Sequence, residues 1–209
     1  NIQDGIIGVA HTSKTVPLKA FYAPTRSLPE ENDLSYRCIT TDDFLVDAFN
    51  SACDSFHVDI ISCSWGFSNP IPAVKTVIDR ITSEGREGKG IIICASSGNA
   101  YSLPDVNPIN FPAVLANVIA VGGSDEETLR INRIWQSKFG DSLNLVAPGV
   151  NIMTTSPNTL LYNMVDGTSF AAPQVAATAA LILSLDSTLT CRDVFEIICS
   201  STSKPHNDD

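Results

Sequence analysis

Strand-like and helix-like patterns alternate along this chain, and that alternation limits its fold more than any other feature. The clearest strand is Ile91–Ala95, a continuous apolar run typical of parallel sheets that are covered on both faces. Val58–Gly66 precedes it, Val118–Val121 follows it, and a helical pattern over Ala73–Glu84 separates the first two strands. The pattern predicts an α/β fold in three layers, with a mainly parallel sheet and helices on both faces.

The remaining elements are short and are predicted from local signals. A helix is expected to start at Thr40, since Asp43 follows at capping-box spacing and apolar residues come after it. Thr190 is expected to cap the last helix. Further strands are predicted at Val16–Tyr22, Asn144–Ala147 and Asn151–Thr155.

Length and charge limit the domain organisation and the partners. A chain of 209 residues fits one domain, which we assign to residues 1–203, followed by a polar tail over 204–209. Because the chain begins at Asn1 and not at methionine, we expect either a processed start or a start within a longer protein. The net charge of −10 argues against nucleic acid, and no apolar run reaches the length of a membrane span, so we expect neither partner.

The six cysteines do not form the pattern of a disulfide framework. Cys63 and Cys94 lie in apolar strands, and Cys191 and Cys199 lie too far apart on one helix to bridge. The sequence permits a disulfide between Cys38 and Cys53. No Cys/His spacing indicates zinc, so no metal site is assigned.

The stretch Val165–Ala176 combines a glycine, two hydroxyl residues and small residues before an apolar helical pattern. It predicts a loop that places Ser169 at the positive end of a buried helix. Pro173 fits the first helical turn, where its missing N–H costs nothing. From the pattern alone, Thr168 and Ser169 are equally well explained as caps of a core helix.

The heptapeptide Gly167–Pro173 resembles the nucleophile motif of the subtilisin-like serine proteases. The resemblance implies that Ser169 is the catalytic nucleophile. It also implies that Asn99, after Cys94–Gly98, supplies a side-chain donor to the oxyanion, with the Ser169 N–H as the second donor. Without the resemblance, Gly98-Asn99 reads as an ordinary turn.

Two further segments match the family at the ends of predicted strands. Ser64-Trp65-Gly66 and Ser96-Ser97-Gly98 resemble the backbone segments that flank the first substrate pocket, which implies recognition of a peptide. Either segment alone would be explained as an ordinary turn at the end of a strand.

The resemblance covers nearly the whole chain. Gly5–Ala20, Leu145–Val150 and Asp186–Ser203 resemble other parts of the family's catalytic domain, whose N-terminal part is then missing here. Cys63–Gly66 and Glu84–Gly90 are most similar to the kexin-like branch. Phe67–Pro70 and Asn107–Pro112 lack the acidic pocket residues of that branch, however, and Asp105 is the only acid nearby, so specificity for paired basic residues is not expected.

The family's catalytic aspartate and histidine motifs, Asp-Thr-Gly or Asp-Ser-Gly and His-Gly-Thr-His, do not occur in this sequence. His11, His57 and His206 lie in loops or a polar tail and read as surface residues. We therefore expect a serine endopeptidase whose aspartate and histidine come from a companion segment, so that this chain is inactive alone. The alternative is a non-catalytic module that binds peptides or a partner chain.

No cofactor is expected for the chemistry. The resemblance does allow a structural calcium in the Asn1–Ile6 loop, where Asn1, Gln3 and Asp4 offer oxygen ligands. Solvated loop polarity explains these residues equally well.

Overall fold

The computed structural model describes residues 6–22, 39–100, 108–125, 136–155 and 162–203. The helices are α1 (Asp42–Asn50), which continues into a π-helical turn (Ser51–Ser55), α2 (Pro72–Gly88), α3 (Thr168–Leu185) and α4 (Cys191–Ser201). The strands are β1 (Ile60–Cys63), β2 (Ile92–Ser96), β3 (Asn99–Ala100), β4 (Ile119–Ser124), β5 (Gln136–Ser137), β6 (Leu145–Pro148), β7 (Ile152–Thr155) and β8 (Tyr162–Val165).

The central sheet is parallel and has the order β1-β2-β4-β6. In the register of its first pair, Ile60 lies beside Ile92 and Cys63 beside Ala95. Two small antiparallel pairs, β3 with β5 and β7 with β8, accompany it. The carboxyl ends of β1 and β2 therefore lie side by side, as the α/β prediction requires.

Alternate residues of β2 pack into two different hydrophobic cores, one on each face of the sheet. Ile93 and Ala95 pack in one core with α1 and α2, whereas Ile92 and Cys94 pack in the other with α3 and α4. Both faces of the sheet are thus covered, which is why the strand reads as a continuous apolar run. The predicted three-layer α/β fold is confirmed.

Helix α3 is long and apolar enough to cross a membrane by length and composition alone. Within the described chain, however, its Ala172, Val175, Ala179 and Leu183 pack against the sheet and α4. We interpret it as a core helix, and the expected absence of a membrane partner stays a prediction.

The two predicted helix caps had different outcomes. Thr190 caps α4 in a complete capping box with Asp193, as expected. The start of α1 was predicted one residue too early, because Thr41 and not Thr40 accepts from the Phe44 N–H. The Thr40 hydroxyl instead donates to the Ala20 carbonyl at 2.6 Å, so a tertiary contact takes it from the cap.

The predicted strand Val16–Tyr22 is wrong as a strand. Its alternation is present, since Leu18 and Ala20 are half-buried and Lys19 is exposed. Within this segment, only Tyr22 makes a β-bridge to another described residue, Ile39. An extended segment becomes a strand only where a neighbour pairs with it, and the described chain places none beside residues 16–21. Strand β8, which pairs with β7, was not predicted.

The cysteines of the described chain are free thiols: Cys53, Cys63, Cys94, Cys191 and Cys199. Cys191 and Cys199 are unbridged, as expected. Cys38, the proposed partner of Cys53, lies outside the described residues, as does the polar tail at 204–209.

The turn after α2 requires glycine at Gly90, which has φ +80°. An added Cβ would lie 2.1 Å from the Thr82 carbonyl oxygen. We expect Gly90→Ala to destabilise the intact protein by more than about 3 kcal/mol, since left-handed strain and a backbone clash add. Urea denaturation measures the change in unfolding free energy.

Gly88 is the matched control, because it has φ +86° and no heavy atom within 4 Å of an added Cβ. Gly88→Ala should cost only the conformational strain, about 1 to 2 kcal/mol. Equal losses for the two variants would contradict the clash at Gly90.

Candidate active site

Ser169 lies in the first turn of α3, as predicted. Gly167, whose φ of 144° turns the chain into the helix, precedes it, and the buried Thr168 is its first residue. Ser169 itself is half-buried. Its backbone N–H belongs to the first helical turn, where donors have no partner within the helix. An anionic oxygen above this turn would therefore find both a donor and the positive end of the helix dipole.

Two reciprocal hydrogen bonds connect Ser169 to Ser64. The Ser169 hydroxyl donates to the Ser64 carbonyl at 3.2 Å, and the Ser64 hydroxyl donates to the Ser169 carbonyl at 2.6 Å. These bonds place the predicted nucleophile directly beside the residue that follows β1. They link positions 105 residues apart in the sequence.

Pro173 explains why the Ser169 carbonyl is available to Ser64. It was predicted in the first turn of the helix but lies inside it, five residues after Thr168. Since proline has no N–H, the carbonyl four residues earlier, that of Ser169, loses its usual partner. The Ser64 hydroxyl takes that place, which satisfies a carbonyl that the proline leaves free.

Asn99 lies next to the same turn and is oriented by Thr168. Its side-chain carbonyl accepts from the Thr168 N–H at 3.1 Å and from the Thr168 hydroxyl at 3.0 Å. With the acceptor end of the amide held in this way, its donor end lies over Gly167, where an added Cβ would be 3.4 Å from Asn99 Nδ2. The arrangement presents an N–H donor over Gly167, two residues before Ser169.

From the sequence, Thr168 was predicted only as a helix cap. Its hydroxyl also accepts from the Gly98 N–H at 3.3 Å, so it joins α3 to the chain after β2. The only signal in the sequence was its place between Gly167 and Ser169 in the same motif.

Replacement of Thr168 by valine should destabilise the intact protein by about 1 to 3 kcal/mol. The residue is fully buried, so the Gly98 N–H would lose its acceptor without gaining water. Thr168→Ser keeps the hydroxyl and should recover most of the loss. Chemical denaturation of both variants measures the effect, and a Thr168→Val variant as stable as the unaltered protein would show that the hydroxyl does not matter.

The two predicted substrate segments lie at the carboxyl ends of neighbouring strands. Ser64–Gly66 follows β1 and Ser96–Gly98 ends and follows β2. The Ser97 N–H bonds to Val121 and its carbonyl accepts from Asn110. These bonds favour a pocket wall over strand pairing for the second segment. The substrate-binding roles of both segments stay predictions.

The described histidines do not bond with Ser169. His57 precedes β1 at its amino end, whereas Ser64, which contacts Ser169, follows β1 at its carboxyl end. The intervening strand of four residues separates the two ends by roughly 13 Å. His11 is exposed, and His206 lies outside the described residues. This part of the chain therefore supplies Ser169 with no general base.

Cys63 is adjacent to Ser64 but is not a competing nucleophile. Burial raises the pKa of its thiol to about 12, so it is protonated at neutral pH. Burial also raises the pKa of the Cys94 thiol.

A metal site finds no support in the described residues, which contain no group of three or more His, Cys, Asp or Glu side chains that could hold an ion. Asn1, Gln3 and Asp4, the candidate calcium ligands, lie outside those residues, and so does Asp105. Calcium binding stays an expectation from the sequence.

The model of the subtilase family, Peptidase_S8, matches residues 1–209. Subtilisin DY of Bacillus licheniformis is 36% identical over 146 residues, which are 70% of this chain and 50% of that protein. Subtilisin NAT of Bacillus subtilis subsp. natto is 37% identical over 136 residues, 65% of this chain and 33% of that protein. The chain thus spans half or less of these relatives.

Two solved structures resemble the fold. The prenylagaramide maturation protease PagA superposes with a TM-score of 0.64 at 25% identity, over 82% of this chain and 62% of that one. Sphericase superposes with a TM-score of 0.62 at 22% identity, over 78% of this chain and 56% of its own. The second likeness concerns the fold alone.

Proposed function

Because the chain belongs to the subtilase family, we propose that it is the C-terminal two-thirds of a serine endopeptidase domain that cleaves peptides through an acyl-enzyme on Ser169. The observation that carries the proposal is the contact between Thr168 and Asn99. It brings an amide donor from the end of β2 to the helix turn that holds the serine. A nucleophile beside preorganised donors is the arrangement that acyl transfer needs.

The reaction assigns a role to each group. Ser169 Oγ attacks the peptide carbonyl carbon, and its proton passes to a histidine of a companion segment. The carbonyl oxygen becomes an oxyanion, which accepts from Asn99 Nδ2 and the Ser169 N–H. The C–N bond then breaks as the histidine returns the proton to the leaving amine, and water releases the acyl group by the same steps.

The histidine and its orienting aspartate come from outside residues 1–209. Ser169 donates to a backbone carbonyl, which activates nothing, and an unassisted serine alcohol attacks amides very slowly. The companion is a preceding part of the same polypeptide or a separate chain produced by a cut. We expect residues 1–209 alone to be inactive.

A groove along β1 supports the proposal of a companion segment, because it offers that segment a place to bind. Strand β1 is at one edge of the described sheet. Beside it lies a cavity of about 880 Å³, lined on the side of the early chain by Val16 and Leu18 and elsewhere by Ile61, Cys63, Ala177 and Leu183. Parallel strands are normally covered and paired. A strand seated there, parallel to β1, would end beside Ser64 and therefore beside Ser169.

The substrate is a peptide or protein, bound along Ser64–Gly66 at the carboxyl edge of the sheet. Main-chain pairing at this edge provides affinity, and a pocket between Ser64–Gly66 and Ser96–Gly98, which we call the wall segments, provides specificity. The similarity of Cys63–Gly66 to the kexin-like branch stays a prediction, as does the absence of specificity for paired basic residues.

Labelling with a serine-directed fluorophosphonate tests the proposal. The intact protein, purified with any chain that accompanies it, should be labelled on Ser169, which peptide mapping by mass spectrometry identifies. Residues 1–209 expressed alone should not be labelled. Absence of labelling in the intact protein, together with peptide binding that Ser169→Ala leaves unchanged, would contradict catalysis and support the alternative of a non-catalytic binding module.

A further inference from the structure

Asn110 and Phe111 lie between the two wall segments, Ser64–Gly66 and Ser96–Gly98, and we take them as the floor of the proposed pocket. The Asn110 N–H donates to the Ser97 carbonyl at 2.9 Å. Phe111 and Phe67 exchange two backbone hydrogen bonds, both of 2.9 Å. Backbone hydrogen bonds therefore join the floor to Ser97 of one wall segment and to Phe67, the residue that follows the other.

The side chain of Asn110 lies between the glycines of the two walls. An added Cβ on Gly66 would lie 2.7 Å from Asn110 Cβ, and one on Gly98 would lie 2.7 Å from Asn110 Nδ2. Such short distances mean that only glycine leaves room for the asparagine on both sides. The carboxamide thus occupies space that a substrate side chain would otherwise enter.

Lys138 holds this carboxamide in place. Its Nζ donates to Asn110 Oδ1 at 2.9 Å, and its backbone N–H donates to the Gly98 carbonyl at 2.9 Å. Its stem passes close to Gly98, since an added Cβ there would lie 2.9 Å from Lys138 Cδ. No carboxylate pairs with this ammonium in the described part of the chain. The pocket therefore carries a positive charge at its base.

We infer that Asn110, held by Lys138, makes the first substrate pocket shallow and cationic, so that it accepts small neutral or acidic side chains and rejects aromatic and basic ones. The inference rests on the proposed function, because it concerns the residue whose carbonyl Ser169 attacks. The filled space excludes large side chains by contact. The ammonium excludes lysine and arginine, because like charges in a partly desolvated pocket repel.

Four peptide substrates that differ only in this residue, alanine, aspartate, phenylalanine or arginine, test the inference on the intact protein. The alanine and aspartate peptides should each have a kcat/KM at least about tenfold above the phenylalanine and arginine peptides. Asn110→Gly should raise the ratio of kcat/KM for the phenylalanine peptide to kcat/KM for the alanine peptide by about tenfold or more. Lys138→Met should raise kcat/KM for the arginine peptide and lower kcat/KM for the aspartate peptide.

A preference for phenylalanine or arginine in the unaltered protein would overturn the inference, as would an unchanged phenylalanine-to-alanine ratio in Asn110→Gly. Thermal unfolding monitored by circular dichroism checks that each variant is folded. If Asn110→Gly fails to fold, Asn110→Ser, which shortens the side chain and keeps a polar atom, is measured in its place and should show the same direction.

Binding separates this inference from the proposed chemistry. Dissociation constants of the same four peptides for the Ser169→Ala variant should follow the same order. If no peptide is hydrolysed but that order holds, the catalytic proposal fails and the pocket inference stands. If the peptides are hydrolysed without discrimination, the reverse is true. Equal affinities, or no binding of any peptide, would overturn the pocket inference.

Discussion

Replacement of Ser169 by alanine is expected to lower kcat/KM of the intact protein for a peptide substrate by roughly 10⁴- to 10⁶-fold, a range guided by subtilisin. The loss is this large because the acyl-enzyme forms on Ser169 Oγ, and no neighbouring group replaces it. Cys63, the nearest thiol in the sequence to Ser64, is buried and protonated. Initial rates with a fluorogenic peptide measure the effect.

Ser184 provides a matched control on the same helix. Its hydroxyl donates to the Leu181 carbonyl near the end of α3, about 22 Å along the axis from Ser169. Ser184→Ala should leave kcat/KM within about twofold, since exposed substitutions of this kind have small effects. A Ser169→Ala variant with more than a tenth of the original activity would refute the assignment of the nucleophile.

Replacement of Asn99 by alanine is expected to lower kcat by about 10²- to 10³-fold with little change in KM, a magnitude known from the oxyanion donor of a subtilisin. The reason is that the amide N–H of Asn99 meets full negative charge only in the transition state, so that substrate binding hardly uses it. Thr168→Val should cause a smaller loss of kcat, because the Asn99 amide remains and keeps the bond from the backbone N–H of residue 168, but loses the bond from the hydroxyl.

Asn117→Ala is the control for this prediction. Asn117 lies just before β4, at the amino end of the parallel strands, whereas the site lies at their carboxyl ends, and its amide bonds to Asp79 and Thr82 of α2. This variant should keep its kcat within about twofold, since its substitution touches no group of the site. An Asn99→Ala variant that raises KM and leaves kcat unchanged would assign Asn99 to substrate binding and not to the oxyanion.

The layers of the fold were predictable because burial leaves a direct mark on the sequence. Ile91–Ala95 is apolar at every position because β2 has a core on each of its faces. The dihedral angles of α2 are regular as far as Glu84, and Gly85 and Gly90, which follow it, indicate the turn in the sequence. In these segments the local pattern and the tertiary environment agree.

Elements that depend on a neighbour were not predictable in the same way. The alternation over Val16–Tyr22 encodes a half-buried extended segment, but pairing is a property of two strands. Thr40 and Thr41 are equivalent as caps by local rules. What distinguishes them is the Ala20 carbonyl, which lies 20 residues away in the sequence and accepts the Thr40 hydroxyl.

The residues of the candidate site also differ in whether the local sequence predicts them. Ser169, Asn99 and Ser64 stand in motifs that can be read from adjacent residues. Asn110 and Lys138 have no such motif, and only the folded chain places them between Gly66 and Gly98. Residues that shape a pocket from a distant segment leave little trace in local sequence, which is why the chemistry of the site was easier to predict than its selectivity.

Substitutions at Pro173 and Ser64 are expected to depend on each other. A residue with an N–H at position 173 would restore the helical bond to the Ser169 carbonyl and compete with the Ser64 hydroxyl. A lineage that loses the proline thus loses the need for a hydroxyl at position 64, while one that keeps the proline must keep some donor for the Ser169 carbonyl. Across related sequences, the two positions should covary even though 109 residues separate them.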